Sequence, residues 1–390
     1  MPRNFKYSKG TAFFLGAGYC AQEIYAPLLD QGYKIYVTTR TKERHEYLKE
    51  YGVIPLIFNG TINPKLQSII KGASIILSSI APANGVDPFL SRLSNNQKKI
   101  MNNAQWVGYL SATSVYGNKN GQWAFEDELL NPSTIKGKER LNAELQWLEM
   151  GAPVHIFRLA GIYGPNRNNF CKLKQNKAQN IIKEGHVTNR IHVEDIASAI
   201  LTSIANPDPF KIYNISDGNP APPQDIMNFS AQLLDIVPPP LIEYGQVELS
   251  FKKDIYYQET KRVSNNRIIN ELRWTPRHSN YRSGLMHSLK IENDEVDTIY
   301  LSGHFDVAKQ HIQETLLLLP EHIKLSREEK GCLDFRVTQS KKTEGRFQVF
   351  EKFNSKRAYL YHQKRIKNSK WKNIMKKLKR DYEIIGLDTI

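Results

Sequence analysis

Gly16-x-Gly18-x-x-Ala21 is the first stretch of this sequence whose residue types and spacing suit a specific chemistry. It lies between an apolar run, Thr11–Leu15, that reads as a buried strand, and a helical stretch reaching Leu29. Gly16 permits a tight turn, and Gly18 lets backbone N–H groups approach an anion at a helix N-terminus. Ala21 is small enough for close helix–strand packing. The anion that suits such a loop is the pyrophosphate of a dinucleotide, although a plain strand–turn–helix can carry the same residues. The next strand, Lys34–Thr38, runs on into Thr39 and Arg40, with Lys42 close behind. An NAD site places Asp or Glu here for the ribose 2′-hydroxyl. Hydroxyls and cations fit a 2′-phosphate instead, so the expected cofactor is NADP, with NAD the alternative.

The elements that must position this loop follow from the pattern around it. Strand-like runs at Ile54–Phe58, Ser74–Ser79, Trp106–Leu110 and Val154–Leu159, with a long helix from about Lys138 to Met150, predict an α/β unit with a parallel sheet. After Gly164 the sequence turns polar and Pro-rich, which suits a small irregular lobe. The acidic stretch Ile291–Asp297 reads as a linker. Beyond it the pattern restarts: strand Thr298–Phe305, helix Val307–Leu319, strands Leu333–Thr338 and Arg346–Phe353, and a helix Ser355–Lys379. That order predicts a ferredoxin-like α+β domain. The fold class is thus a doubly wound Rossmann-type sheet with a substrate lobe (1–290), a linker (291–297) and a ferredoxin-like domain (298–390).

The 390 residues are 40% apolar and 24% charged, which excludes a disordered chain. The net charge of +15 is uneven: eleven Lys/Arg and no Asp or Glu fall between Lys356 and Arg380. A solvated helix face explains that run, and with no stacking platform or helix-turn-helix pattern beside it, a nucleic-acid partner is not expected. No apolar stretch reaches the roughly 20 residues of a membrane span, and Thr11–Ala17 does not read as a signal peptide. Cys20, Cys171 and Cys332 have no CxxC spacing, so neither a disulfide framework nor a zinc site is read from them. A cytoplasmic protein without a metal is expected.

Gly16–Ala21, Thr38-Thr39-Arg40, Tyr109–Gly117 and Arg158–Pro165 succeed one another at intervals that resemble the extended and atypical short-chain dehydrogenase/reductases, the NAD(P)-dependent epimerase/dehydratase group. Arg190–Asp195 and Ile212–Asp217 resemble later landmarks of that group, in which His192 and Asp195 would brace the substrate lobe. The resemblance implies a Tyr-x-x-x-Lys pair and a nearby hydroxyl for proton transfer. Here those positions hold Lys136, Arg140 and Ala112. Tyr116 and Tyr163 offer substitute phenols, with Tyr116 taken as the catalytic candidate beside its plainer reading as strand-end packing. Cofactor binding is expected, and ordinary reductase chemistry is not.

Ser326-Arg327-Glu328, Gly331-Cys332-Leu333, Glu351 and His362 resemble, in order, the antibiotic-biosynthesis monooxygenase domains, among them quinol monooxygenases. That likeness implies a cofactor-independent oxygenation in which a base, a cation and an apolar pocket suffice. His362 would be the base, Arg327 would stabilise a phenolate, and Glu351 would orient the imidazole. The plain alternative is a structural Arg327–Glu351 ion pair. It also implies a homodimer. Together the resemblances imply an NADP(H)-binding oxidoreductase-like protein acting on a small aromatic or quinone-like metabolite. The alternative is a non-catalytic NADP(H)-sensing protein with a small-molecule-binding C-terminal module.

Overall fold

The computed structural model describes residues 9–249, 251–294 and 297–387. Contacts divide the chain into two compact units, 1–281 and 282–390. In the first, strands and helices alternate: β1 (Gly10–Leu15), α1 (Tyr19–Asp30), β2 (Tyr33–Thr39), α2 (Lys42–Lys49), β3 (Ile54–Ile57), α3 (Pro64–Gly72), β4 (Ile75–Ser78), α4 (Asn95–Ile100) and β5 (Trp106–Ala112). The short β6 (Trp123–Ala124) and the long α5 (Ile135–Leu148) lead to β7 (Val154–Leu159) and β8 (Gly161–Tyr163). Next come α6 (Phe170–Lys174), β9 (Asn180–Ile182), β10 (Arg190–His192), α7 (Val193–Ala205) and β11 (Ile212–Ile215). The remaining elements are α8 (Pro223–Leu233), β12 (Leu241–Glu243), α9 (Phe251–Gln258), β13 (Arg262–Val263), α10 (Asn266–Leu272) and α11 (Tyr281–Glu292), whose first residue closes the unit.

Seven strands form one parallel sheet in the order β11-β7-β5-β4-β1-β2-β3. The order reverses next to β1, so the crevice at the carboxyl ends of β1 and β4 opens beside the glycine loop. The strands read as continuous apolar runs because both faces are covered. Ala12 and Phe14 pack with Ile24 and Leu28 of α1 and Ile196 and Ile200 of α7. Phe13 and Leu15 pack with Leu66 and Ile70 of α3 and Ala143 and Trp147 of α5. Thr41, Asn63 and Thr134 cap α2, α3 and α5 with side-chain oxygens. The start of α1 has Gly18 and no side-chain cap. The lobe beyond is built on two-stranded parallel pairs, β10–β8, β12–β9 and β13–β6.

The second unit holds β14 (Ile299–Asp306), α12 (Ile312–Arg327), β15 (Cys332–Gln339), β16 (Arg346–Phe353), α13 (Lys356–Lys367), α14 (Trp371–Met375) and β17 (Lys379–Ile385). Its antiparallel sheet runs β15-β16-β14-β17. Leu301, Phe305, Phe335, Phe347 and Val349 of the sheet pack with Leu319 of α12, Tyr359 and Ile366 of α13 and Trp371 and Ile374 of α14. The structure corrects the sequence reading in two places. The single helix expected over Ser355–Lys379 is two helices broken at Asn368-Ser369, where Ser369 Oγ turns back to Ile366 O. The chain then enters a fourth strand, which pairs Tyr300–Asp306 with Lys379–Ile385. The helix expected to end at Leu319 continues through Pro320 to Arg327.

Candidate functional site

At the glycine loop, Gly16 has φ +94°, and a Cβ there would sit 2.8 Å from Ser79 Oγ, so this turn requires glycine. The Gly16 N–H donates to Thr38 Oγ1 at 2.9 Å, which ties the loop to the end of β2. Gly18 differs, having extended backbone with a negative φ, and a Cβ would meet only Ser79 Oγ at 3.9 Å. Ala21 is fully buried in the core under the sheet. Thr39 is buried at the end of β2, and Arg40 next to it is exposed. The sequence reading passed over Arg44. One turn into α2, its Nη2 donates to Ala17 O at 3.1 Å, and its guanidinium lies 4.6 Å over the Tyr47 ring. Its place three residues after the capping Thr41 is the one local signal that could have found it.

The positions that would organise proton transfer are otherwise employed. Lys136 is exposed. Arg140 Nη1 donates to Tyr109 Oη at 3.0 Å and to Leu110 O at 2.9 Å. Ser111 donates to Glu144, and Glu144 pairs with Arg158 at 2.9 Å, both side chains 2% exposed. Tyr116 belongs to the same buried network: Arg158 Nη1 donates to its oxygen at 3.0 Å, and its hydroxyl donates to Asn214 Oδ1 at 2.7 Å. Burial pushes this phenol up to about 12 against the opposing pull of Arg158. Tyr116 is thus held as a buried link rather than presented to a cleft.

In the second unit, a cavity of about 200 Å³ lies between the sheet and the helices. Leu301, Phe305, Phe335, Trp371 and Tyr382 supply apolar wall, and His322, Glu351, Gln363 and Arg380 the polar groups. Burial, with the Glu329 charge added, pushes Glu351 up to about 8. Its Oε2 has no hydrogen-bond partner and lies 3.8 Å from His362 Nε2, which has none either. His362, fully buried behind this carboxyl, is held below the usual imidazole range by burial, a fall that Glu329 opposes. His322 stacks on Trp371 at 4.4 Å, and burial, then the His362 and Arg365 charges, pushes it down to about 3.

Glu351 and His362 are therefore brought together, with roles unlike those expected. Glu329 takes His362 Nδ1 at 2.9 Å and so orients the ring, while Glu351 faces the cavity. Arg365 secures Glu329 and donates to Ser326 Oγ at 2.7 Å. Arg327 is elsewhere: its Nε donates to Phe335 O at 2.9 Å, and it borders a separate groove with Leu316, Pro320 and Ile323. The Arg327–Glu351 ion pair of the plainer alternative does not form, and the cation at the cavity is Arg380. Cys332 is half-buried, with its thiol pushed up to about 11 by burial.

Comparison with known proteins follows this division. Residues 298–375 match the antibiotic biosynthesis monooxygenase family. Protein YeeZ of Escherichia coli K12 is 33% identical over 169 residues, which is 42% of this chain and 55% of YeeZ, so the chain spans about half the length of that curated relative. A conserved protein of unknown function from Silicibacter pomeroyi is 38% identical with a TM-score of 0.69, over 73% of this chain and 99% of that one. The dTDP-glucose 4,6-dehydratase of Bacillus anthracis, solved with NAD, shares the fold at 16% identity and a TM-score of 0.58, over 73% and 97% of the two chains. With this sheet order, and with that identity over nearly all of the Silicibacter protein, the chain belongs to the same family as that protein, an epimerase/dehydratase-fold unit here joined to an antibiotic biosynthesis monooxygenase domain.

Proposed function

We propose that the chain is an NADP(H)-binding oxidoreductase-like protein of the cytoplasm that acts on a small aromatic or quinone-like metabolite through its C-terminal cavity. The observation that carries this reading is the Glu351–His362 pair: Glu351 Oε2 and His362 Nε2 face each other without a hydrogen-bond partner, and Glu351 lines the cavity. A phenol or quinol bound there gives its proton to Glu351 as that carboxyl, kept protonated by burial, passes its own proton to His362 Nε2. The Glu329 carboxylate on Nδ1 then stabilises the imidazolium. Arg380 supplies positive charge to the phenolate. Oxygen uptake with a panel of quinols, measured for the native chain and for Glu351→Gln, tests the reading; uptake unchanged by the substitution would refute it.

Gly18 supports the cofactor part: packing does not demand a glycine there, whereas close approach of a pyrophosphate to the uncapped start of α1 does. Thr39 ends β2 and Arg40 follows it, where an NAD site is expected to carry an acidic residue, and Arg44 lies against the glycine loop at Ala17, which supports the 2′-phosphate of NADP as the ligand. A second reading, an NADP(H)-sensing unit without turnover, is favoured by Arg140 and Tyr116, both committed to hydrogen bonds within the protein. Incubation with NADPH and carbonyl substrates separates the two, because sensing predicts binding without oxidation. The three free cysteines suit a reducing compartment, and no described helix is long and apolar enough to cross a membrane.

A further inference from the structure

Among the described residues, His192, Glu194 and His278 bring three ligand atoms within 4.8 Å of one another. We infer that they form a divalent transition-metal site of the kind that two imidazoles and a carboxylate offer to zinc.

The three side chains come from two segments that the fold holds together. His192 ends β10, and Glu194 lies in the first turn of α7. His278 follows α10, and its segment is fixed by Asp195, whose carboxylate accepts the N–H groups of Arg277 at 2.6 Å and His278 at 3.1 Å. Asp195 therefore acts as a positioning residue. Glu194 Oε2 lies 3.0 Å from His278 Nε2 and 4.0 Å from His192 Nδ1. The two imidazole centroids are 4.1 Å apart. Ligands about 2.1 Å from a tetrahedral ion stand about 3.4 Å from each other, so small side-chain rotations bring this set into coordination range.

The surroundings suit an ion with one open position. His192 and His278 are 0% and 1% exposed, while Glu194 is 28% exposed and opens the cluster toward solvent. The ion would have protein on one side and a water on the other. His192 Nδ1 accepts the Glu194 N–H at 3.4 Å, so this nitrogen carries a lone pair and not a proton. Arg277, a competing cation, lies 3.9 Å from Glu194 Oε2 with its side chain 65% exposed. None of the three cysteines takes part. The bound ion would clasp the segment after α10 to the β10–α7 junction.

The test uses the whole chain, stripped with a chelator and titrated with Zn²⁺ by calorimetry and with Co²⁺ by visible absorption. One equivalent per chain is expected at micromolar affinity or better, with d–d bands of low coordination number and a higher Tm. Glu194→Gln keeps the hydrogen-bonding shape while removing the charge, and it should weaken binding about tenfold or more; His278→Ala should abolish it. His45→Ala, a surface histidine paired with Glu46, should change nothing. No saturable binding below about 100 μM, or native affinity in Glu194→Gln, overturns the proposal. Should His278→Ala not fold, Glu194→Gln decides alone.

Discussion

Glu351 is half of the candidate acid–base pair, and its burial gives it a pH signature. Its carboxyl titrates near 8 in the folded chain, well above its ordinary value of 4.5. Between those values the folded state binds a proton that the unfolded state has released, so stability should fall as pH rises from about 4.5 to about 8. The Tm of Glu351→Gln should therefore match the native protein near pH 4 and exceed it near pH 9, by a free energy on the order of a few kcal/mol. Parallel melting curves at every pH would show that the carboxyl is not held protonated. At the other site, Arg40→Ala should lower NADPH affinity roughly tenfold and leave NADH unchanged by calorimetry. Gly16, Thr39 and Arg40 were legible in the sequence because a strand–turn–helix places them locally. Arg365 and Glu329 were not, because their grouping with His362 depends on how the end of α12 meets α13; the expected roles of Arg327 and Glu351 fell instead to Arg380 and Glu329.

The buried pair between α5 and β7 shows what joins the elements. Glu144→Ala would strand Arg158 at 2% exposure without its carboxylate, and urea unfolding should register a loss of about 3–5 kcal/mol. At the first turn, Gly16→Ala combines a left-handed backbone with a contact to Ser79, and a loss of about 1–3 kcal/mol is expected in the same assay. Six of the seven parallel strands were readable because burial on both faces favours apolar runs, whereas the short β11, with its buried Asn214, was not read as a strand. The last strand was not: Lys379-Arg380-Asp381 opens it with charges, and what makes it a strand is the open edge of β14, a partner nearly eighty residues away. The break between α13 and α14 was hidden by the recurring Lys and Arg on both sides of it, although Asn368-Ser369 is a turn signal.

For the whole molecule, the C-terminal unit leaves Leu317 at 79%, Leu333 at 54%, Leu360 at 53% and Tyr361 at 59% exposure. Paired copies would cover such side chains, and a two-fold contact is the commonest way to do so. Light scattering of the intact chain at micromolar concentration should therefore give twice 44.9 kDa, and Leu317→Glu with Leu360→Glu should halve it. A native chain of single mass would end the dimer proposal. The order β15-β16-β14-β17 also bears on how the protein is made. β14 is the first strand of its sheet to leave the ribosome and β17 is the last, so a nascent chain presents β14 with an unpaired edge while about seventy residues are still to be added. During that interval Leu301 and Phe305 lack the Tyr382 and Ile384 wall of the cavity. An exposed edge flanked by apolar side chains invites pairing with a neighbouring chain. Slow codons or a ribosomal stall between Phe353 and Lys379 should therefore cost soluble yield more than a stall placed after Ile385.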